Sequence, residues 1–281
     1  MHFLRCGETV IHYRVKGLDT GKPVIAFINS LGTDFRIWDA VIEALGDDYA
    51  YVRHDKRGHG LSDVGHAPYS IDDHADDLIA LLDHLGVKGA IIWGLSVGGL
   101  IAQGLYARRP DLVRALILSN TAHKIGTAEM WNARIDKIAA DGLASLVDPV
   151  MERWFTPAFR QPDNAAYAGA RNMLSQQPEA GYSGTCAASA MRILPKRPGV
   201  SPCRRFVSRV IRTARHRRNW CNRWRVSFPQ AASSPSPAAA TFPALNSRSL
   251  TRRQPPFLSR HCRSIDRWRT ISTRTQDSNR A

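Results

Sequence analysis

The chain has 281 residues, 43% of them hydrophobic, and a formal net charge of +15. That length is enough for one large core, or one core with a small second lobe. Five cysteines without C-x-x-C spacing argue against a disulfide framework or a zinc site, and no apolar run reaches the roughly 18 residues of a membrane span, so the expectation is a soluble cytoplasmic protein without a leader.

The first half alternates strand and helix patterns. Thr9–Val15 alternates like a strand, GLDTGKP is a turn, and Val24–Ile28 is a short apolar run. Ala50–Arg53 reads as a strand that ends at the glycine-punctuated loop HDKRGHGLSD, 54–63. Ser70 is a good N-cap for a helix over Ile71–Leu85, with Asp72 and Asp73 in its first turn and Gly86 as its stop. Ala90–Trp93 reads as a buried strand, Gly98–Arg109 as a helix, and Val113–Leu118 as another strand. This alternation predicts an α/β fold, a mostly parallel sheet with helices on both faces. Residues 127–177 carry helical patterns and no convincing strand, as an inserted lid would; Ala128–Ala140 and Gly142–Phe155 are the clearest. The expected organisation is a core over 1–126, a helical lid over 127–188 and a tail over 189–281.

WGLSVGG, 93–99, carries the chemistry. Ser96 stands between Gly94 and Gly98 in a G-x-S-x-G pattern, with a strand before and a helix after. A sharp turn there lifts the hydroxyl above the sheet at a helix N-terminus and needs small residues beside it. Ser96 is the candidate nucleophile, and the N–H of Val97 faces the oxyanion that would develop. A second donor belongs on the loop after an earlier strand, and the N–H of Leu31 in FINSLGTD (27–34) is the candidate by position. His54 and His59 read as parts of a structural turn, since the base of such a site comes late in the chain, after the acid. No His/Cys/Asp cluster has metal-ligand spacing, and serine acyl transfer needs neither metal nor cofactor.

NSLGT, W-D, DKRGHGLSD and GLSVGG, with WNARI (131–135), ERWFTPAF (152–159) and GYSGTCAA (181–188), together resemble the α/β-hydrolase family. Within it the match over residues 1–188 is to 3-oxoadipate enol-lactonases. The resemblance implies hydrolysis of a small carboxylated enol-lactone to 3-oxoadipate, in the β-ketoadipate route of aromatic catabolism. A lactone is an internal ester, so a serine and an oxyanion hole suit it. Its carboxylate suits an arginine clamp. Trp131 and Arg134 lie three apart on one helical face. Spacing alone reads them as a core tryptophan and a solvated arginine. The resemblance makes Arg134 the carboxylate clamp and Trp131 an apolar wall.

The tail departs from that pattern. Residues 189–281 hold 21 cationic side chains, 20 of them arginine, against two acids, Asp266 and Asp277. The family expects a late G-D loop for the acid and a G-H loop for the base, and the written tail has neither. Read one base out of frame, with third codon bases free to choose, SPCRRFVSRVIRTA from Ser201 can read I-A-V-P-T-L-C-V-A-G-D-Q-N-G, and AATFPALNSRS from Ala239 can read G-H-I-P-C-V-E-Q-P-E. Both motifs fall in one shifted frame and in the right order. The expectation is a frameshift near Ala188–Met191, so that no written residue carries the acid or the base. The written tail would then be disordered, leaving a bare sheet edge. Two other readings compete: a different esterase or lactonase on the same fold, or a hydrolase-like domain whose arginine-rich tail binds nucleic acid. The second leaves the shifted motifs unexplained, so neither nucleic acid nor a membrane is the expected partner.

Overall fold

The computed structural model describes residues 1–191 and the backbone of 206–207 and 224–227. Six strands and seven helices fill the first 191 residues: β1 (His2–Cys6), β2 (Thr9–Lys16), β3 (Val24–Ile28), α1 (Asp39–Leu45), β4 (Ala50–His54), α2 (Ile71–His84), β5 (Ala90–Leu95), α3 (Val97–Arg108), β6 (Val113–Ser119), α4 (Ala128–Asp141), α5 (Val147–Trp154), α6 (Ala165–Ser175) and α7 (Glu179–Ala190). Strands β4, β3, β5 and β6 lie side by side and parallel, and β2 and β1 extend the β4 edge antiparallel. The fold is α/β with a mostly parallel sheet, as the alternation predicts.

The strand order sets the place of the site. From β3 the chain crosses to β4 on one side, and from β4 it returns past β3 to β5 and then β6. Right-handed crossovers therefore send the connection after β3 to one face and α2 and α3 to the other. The order reverses between β3 and β5, and a crevice opens outside the carboxyl ends of strands at such a point. The register pairs Ile28 with Gly94 and Leu95 with Ser119, so the loop after β3 and the turn after β5 leave the sheet together.

Local chemistry explains the helices. Ser70 and Asp73 form a reciprocal capping box at the start of α2. Leu78, Leu81 and Leu82 of α2 and Leu100, Ile101 and Leu105 of α3 are fully buried in one core. Each such side chain contributes about 1.5–3 kcal/mol relative to an exposed one. Thr127 caps α4 through the Met130 N–H. The single helix expected over Gly142–Phe155 is broken: Leu143–Leu146 is a 3-10 turn and α5 starts afresh at Val147. Pro149 is the reason, because its ring excludes the carbonyl four residues back and it has no N–H to give; in the first turn of a new helix neither matters.

β1 was not expected. It lies on an edge, and its mostly exposed residues leave no apolar signature. Beyond β6, the backbone of Trp224–Ser227 (β8) pairs antiparallel with it, and Phe206–Val207 (β7) pairs with β8. The edge expected to be bare is therefore occupied, since unpaired strand groups accept any extended backbone. Disorder of the tail, the shifted-frame positions at Val210/Ile211 and Ala240/Thr241, and the tail histidines His216 and His261 all lie outside the described residues. No helix among the described residues is long and apolar enough to cross a membrane.

Candidate active site

Ser96 sits at φ 56° and ψ −118°, between β5 and the first residue of α3. This is a conformation that a residue with a side chain rarely adopts, and such strain gathers at functional sites. Its glycine neighbours are required by contact. A methyl group on Gly94 would lie inside the Gly98 carbonyl, one on Gly98 inside the Ile28 carbonyl, and one on Gly99 inside the Thr121 side chain. Ser119 holds the turn from the next strand: its carbonyl accepts the Ser96 N–H at 2.9 Å, and its hydroxyl accepts the Trp93 indole N–H at 2.9 Å. The Ser96 hydroxyl itself has no hydrogen-bond partner among the described residues, so no histidine there acts on it.

The loop after β3 is fixed from several sides. Asn29 donates to the His54 carbonyl at 3.0 Å and accepts the Trp38 indole N–H at 2.8 Å. Thr33 donates its hydroxyl to the Ser30 carbonyl at 2.9 Å. The Gly32 N–H donates to His59 Nε2 at 3.0 Å. The N–H of Leu31 donates to no group among the described residues, nor does that of Val97, which opens α3. Neither backbone donor is engaged among the described residues, and Val97 directly follows the strained serine.

The loop 54–63 is scaffolding, as its glycines suggest. The Asp55 carboxylate accepts from His12 Nδ1, the Phe35 N–H and the Leu61 N–H at 2.8, 2.8 and 3.1 Å. Arg57 grips Asp77 with two bonds of 2.7 Å. His59 spends Nε2 on Gly32, and Nδ1 faces the Arg57 carbonyl at 3.3 Å. Burial, helped by the Lys56 charge, holds His59 well below its ordinary value, so it stays neutral. Burial likewise brings His54 down to about 4. Neither histidine contacts Ser96.

Trp131 is buried, and its indole donates to the Ile125 carbonyl at 2.6 Å. Arg134 places its guanidinium 5.4 Å from the Trp131 ring centre and donates to the Tyr182 hydroxyl at 3.2 Å. It has no carboxylate partner among the described residues. Tyr182 is buried on α7, where burial pushes its hydroxyl up to about 12, so it remains a neutral phenol. Its ring reaches Gly32: a methyl there would stand 3.0 Å from Tyr182 Cε2. The contacts run from Trp131 through Arg134 and Tyr182 to the loop that carries Leu31. Sequence reasoning gave Tyr182 no role, because nothing local marks a residue that joins segments so far apart.

A parallel sheet with a strained strand–serine–helix turn at its switch point defines the α/β-hydrolase class. A family model described as alpha/beta hydrolase fold matches residues 23–155. The 3-oxoadipate enol-lactonase 2 of Acinetobacter baylyi is 36% identical over 187 residues, which cover 66% of this chain and 70% of that protein. The 3-oxoadipate enol-lactonase 1 of the same organism is also 36% identical, over 60% of this chain and 63% of that one. Among solved structures, the enol-lactonase from Burkholderia xenovorans LB400 superposes with a TM-score of 0.65 at 34% identity, covering 68% of this chain and 74% of that one. This chain belongs to the α/β-hydrolase family, and enol-lactonases are among the relatives it is most similar to.

Proposed function

We propose that this sequence encodes a serine hydrolase that opens a carboxylated enol-lactone, 3-oxoadipate enol-lactone, in a cytoplasmic pathway of aromatic breakdown. The observation that carries the reading is Ser96, strained at φ 56° where β5 turns into α3. Ser96 Oγ attacks the lactone carbonyl, and the N–H groups of Leu31 and Val97 hold the oxyanion. The ring C–O bond then breaks. The enolate that leaves is a good leaving group, takes up the proton that Ser96 Oγ gave up and becomes the ketone. Water next attacks the acyl-serine and releases the second carboxylate, giving 3-oxoadipate and free Ser96. Arg134 receives the carboxylate the substrate already carries, and Trp131 forms the apolar wall beside it. Helices α4–α7 serve as a lid over residues 127–188.

The acid and the base belong, on this reading, to the frame shifted after about residue 188, at the codons straddling Val210/Ile211 and Ala240/Thr241. The relatives' names support the substrate class, and Arg134, which has no carboxylate partner among the described residues and has Arg153 near it, supports its charge. The test is hydrolysis of the enol-lactone against a neutral aryl ester, with Ser96→Ala as control. Preference for the enol-lactone, lost in Ser96→Ala, is the expected result. Equal or better hydrolysis of the aryl ester supports a general esterase instead.

A further inference from the structure

Lys56 is 1% exposed, yet it follows Asp55 in a polar loop. Its ammonium donates to the Ser30 carbonyl at 2.7 Å and lies 3.4 Å from the Thr33 carbonyl. It forms no ion pair among the described residues. The two carboxylates whose charge it feels are engaged elsewhere: Asp55 with His12, Phe35 and Leu61, and Asp34 with Arg36. A buried cation that meets only carbonyls costs desolvation without the return of a salt bridge. A methionine would fill the same space at lower cost.

The Ser30 carbonyl and the Leu31 N–H belong to one peptide unit. That unit is planar and trans, so the two groups point in opposite directions. Whatever fixes the carbonyl aims the N–H: the Thr33 hydroxyl and the Lys56 ammonium both donate to it, and only the ammonium brings charge. A positive charge behind the carbonyl also draws electrons through the amide and strengthens the N–H as a donor.

We propose that Lys56 is a positioning residue for the oxyanion hole: from behind the Ser30–Leu31 peptide, its ammonium aims and polarises the Leu31 N–H toward the oxyanion. The proposal rests on the reading of Ser96 as nucleophile and Leu31 as donor. It also separates charge from shape. A neutral Lys56 amine keeps two N–H donors, enough for the same carbonyls, while the charge is lost. Burial brings the Lys56 ammonium down to about 7, so that loss falls in an accessible range. The charged and titratable groups around it are Asp34, Asp55 with its partner His12, Arg57, and the buried His54, His59 and His74. The last three are held neutral, chiefly by burial.

Two measurements on the full chain test this. In the first, the Leu31 amide is followed by NMR from pH 6 to 9 in leucine-labelled protein. Its proton shift is expected to move upfield with a midpoint near 7, and to stay still in Lys56→Met. A Leu31 amide that does not titrate, or titrates equally in Lys56→Met, overturns the proposal without any activity being needed. In the second, acylation of Ser96 by p-nitrophenyl acetate is measured in single turnover, with the Ser96→Ala rate subtracted. Lys56→Met is expected to acylate about tenfold more slowly at pH 6, less than the loss of a whole oxyanion donor, with ester binding unchanged. That deficit should shrink toward none by pH 9, where the parent chain has lost the same charge. A constant deficit marks a merely structural lysine and overturns the proposal, as does no deficit at all. If Ser96→Ala reacts as fast as the parent, the nucleophile reading fails, and the amide titration alone decides whether Lys56 acts on Leu31.

Discussion

Arg134 donates to the Tyr182 hydroxyl at 3.2 Å while the ring of Tyr182 closes on Gly32. One buried phenol therefore sets the distance between the cation on α4 and the loop that carries Leu31. Replacing Tyr182 by Phe keeps the ring and releases the guanidinium. KM for the carboxylated lactone should rise about three- to tenfold, the net worth of one ordinary hydrogen bond that positions the guanidinium. Turnover of a neutral aryl ester should not change. Steady-state kinetics on both substrates reads the difference, and an equal effect on both would remove Arg134 from carboxylate recognition.

Ser96 holds a backbone conformation suited to glycine. Ser96→Gly should abolish hydrolysis and yet raise the stability of the chain by about 1 kcal/mol, part of the 1–3 kcal/mol such strain stores. Urea unfolding of the two proteins measures it. A less stable Ser96→Gly would mean that the turn is not strained.

Gly58 and Gly181 meet backbone to backbone, where the loop after β4 touches the start of α7; a methyl on Gly181 would stand 2.6 Å from the Gly58 carbonyl carbon. Gly181→Ala should cost about 1–3 kcal/mol by overpacking. Gly169, exposed within α6 with open space around it, is the contrast. Gly169→Ala should gain about 0.5–1 kcal/mol, because alanine is the better helix former. Thermal or urea unfolding of the pair gives opposite signs if the helices pack as described.

Three buried histidines tie stability to pH. His54 is brought down to about 4, and His59 and His74 are held well below their ordinary value, by burial first and the Lys56 charge second. The unfolded chain therefore binds protons that the folded chain refuses. Their stabilising contribution is complete above pH ~6.5 and is lost as pH falls toward ~4, at about 1.4 kcal/mol per pH unit for each histidine. Urea midpoints at pH 7, 5.5 and 4.5 should fall accordingly, and His74→Gln should remove one proton from the slope. Midpoints that hold steady to pH 4.5 would mean that these rings are charged or solvated.

What could be read in the sequence was local. The Ser96 turn announced itself because three glycines at fixed offsets have no other purpose there, and the contacts of Gly94, Gly98 and Gly99 bear this out. The start of α2 was legible because Ser70 and Asp73 need only each other. Leu31 follows from its place after β3, and its N–H has no acceptor among the described residues. The break before Pro149 is also local, since a proline three residues into a helix marks a fresh start. β1, Tyr182 and Lys56 were out of reach for another reason. Their roles depend on what lies across the fold: an edge partner, Gly32 and Arg134, and the Ser30 carbonyl. A lysine in a polar loop carries no local mark of burial.

Ser96 acts, on the proposed function, within a triad whose acid and base lie in the shifted frame. The direct measurement compares hydrolysis of 3-oxoadipate enol-lactone by the chain as written, by a chain with the frame restored after residue 188, and by the restored chain carrying Ser96→Ala. The restored chain should be faster than the written one by about 10⁶-fold, the cost of losing the base, to which the missing acid adds little, and Ser96→Ala should cancel the gain. A written chain that turns over as fast as the restored one, or a restored chain that is inert toward the enol-lactone, would contradict it.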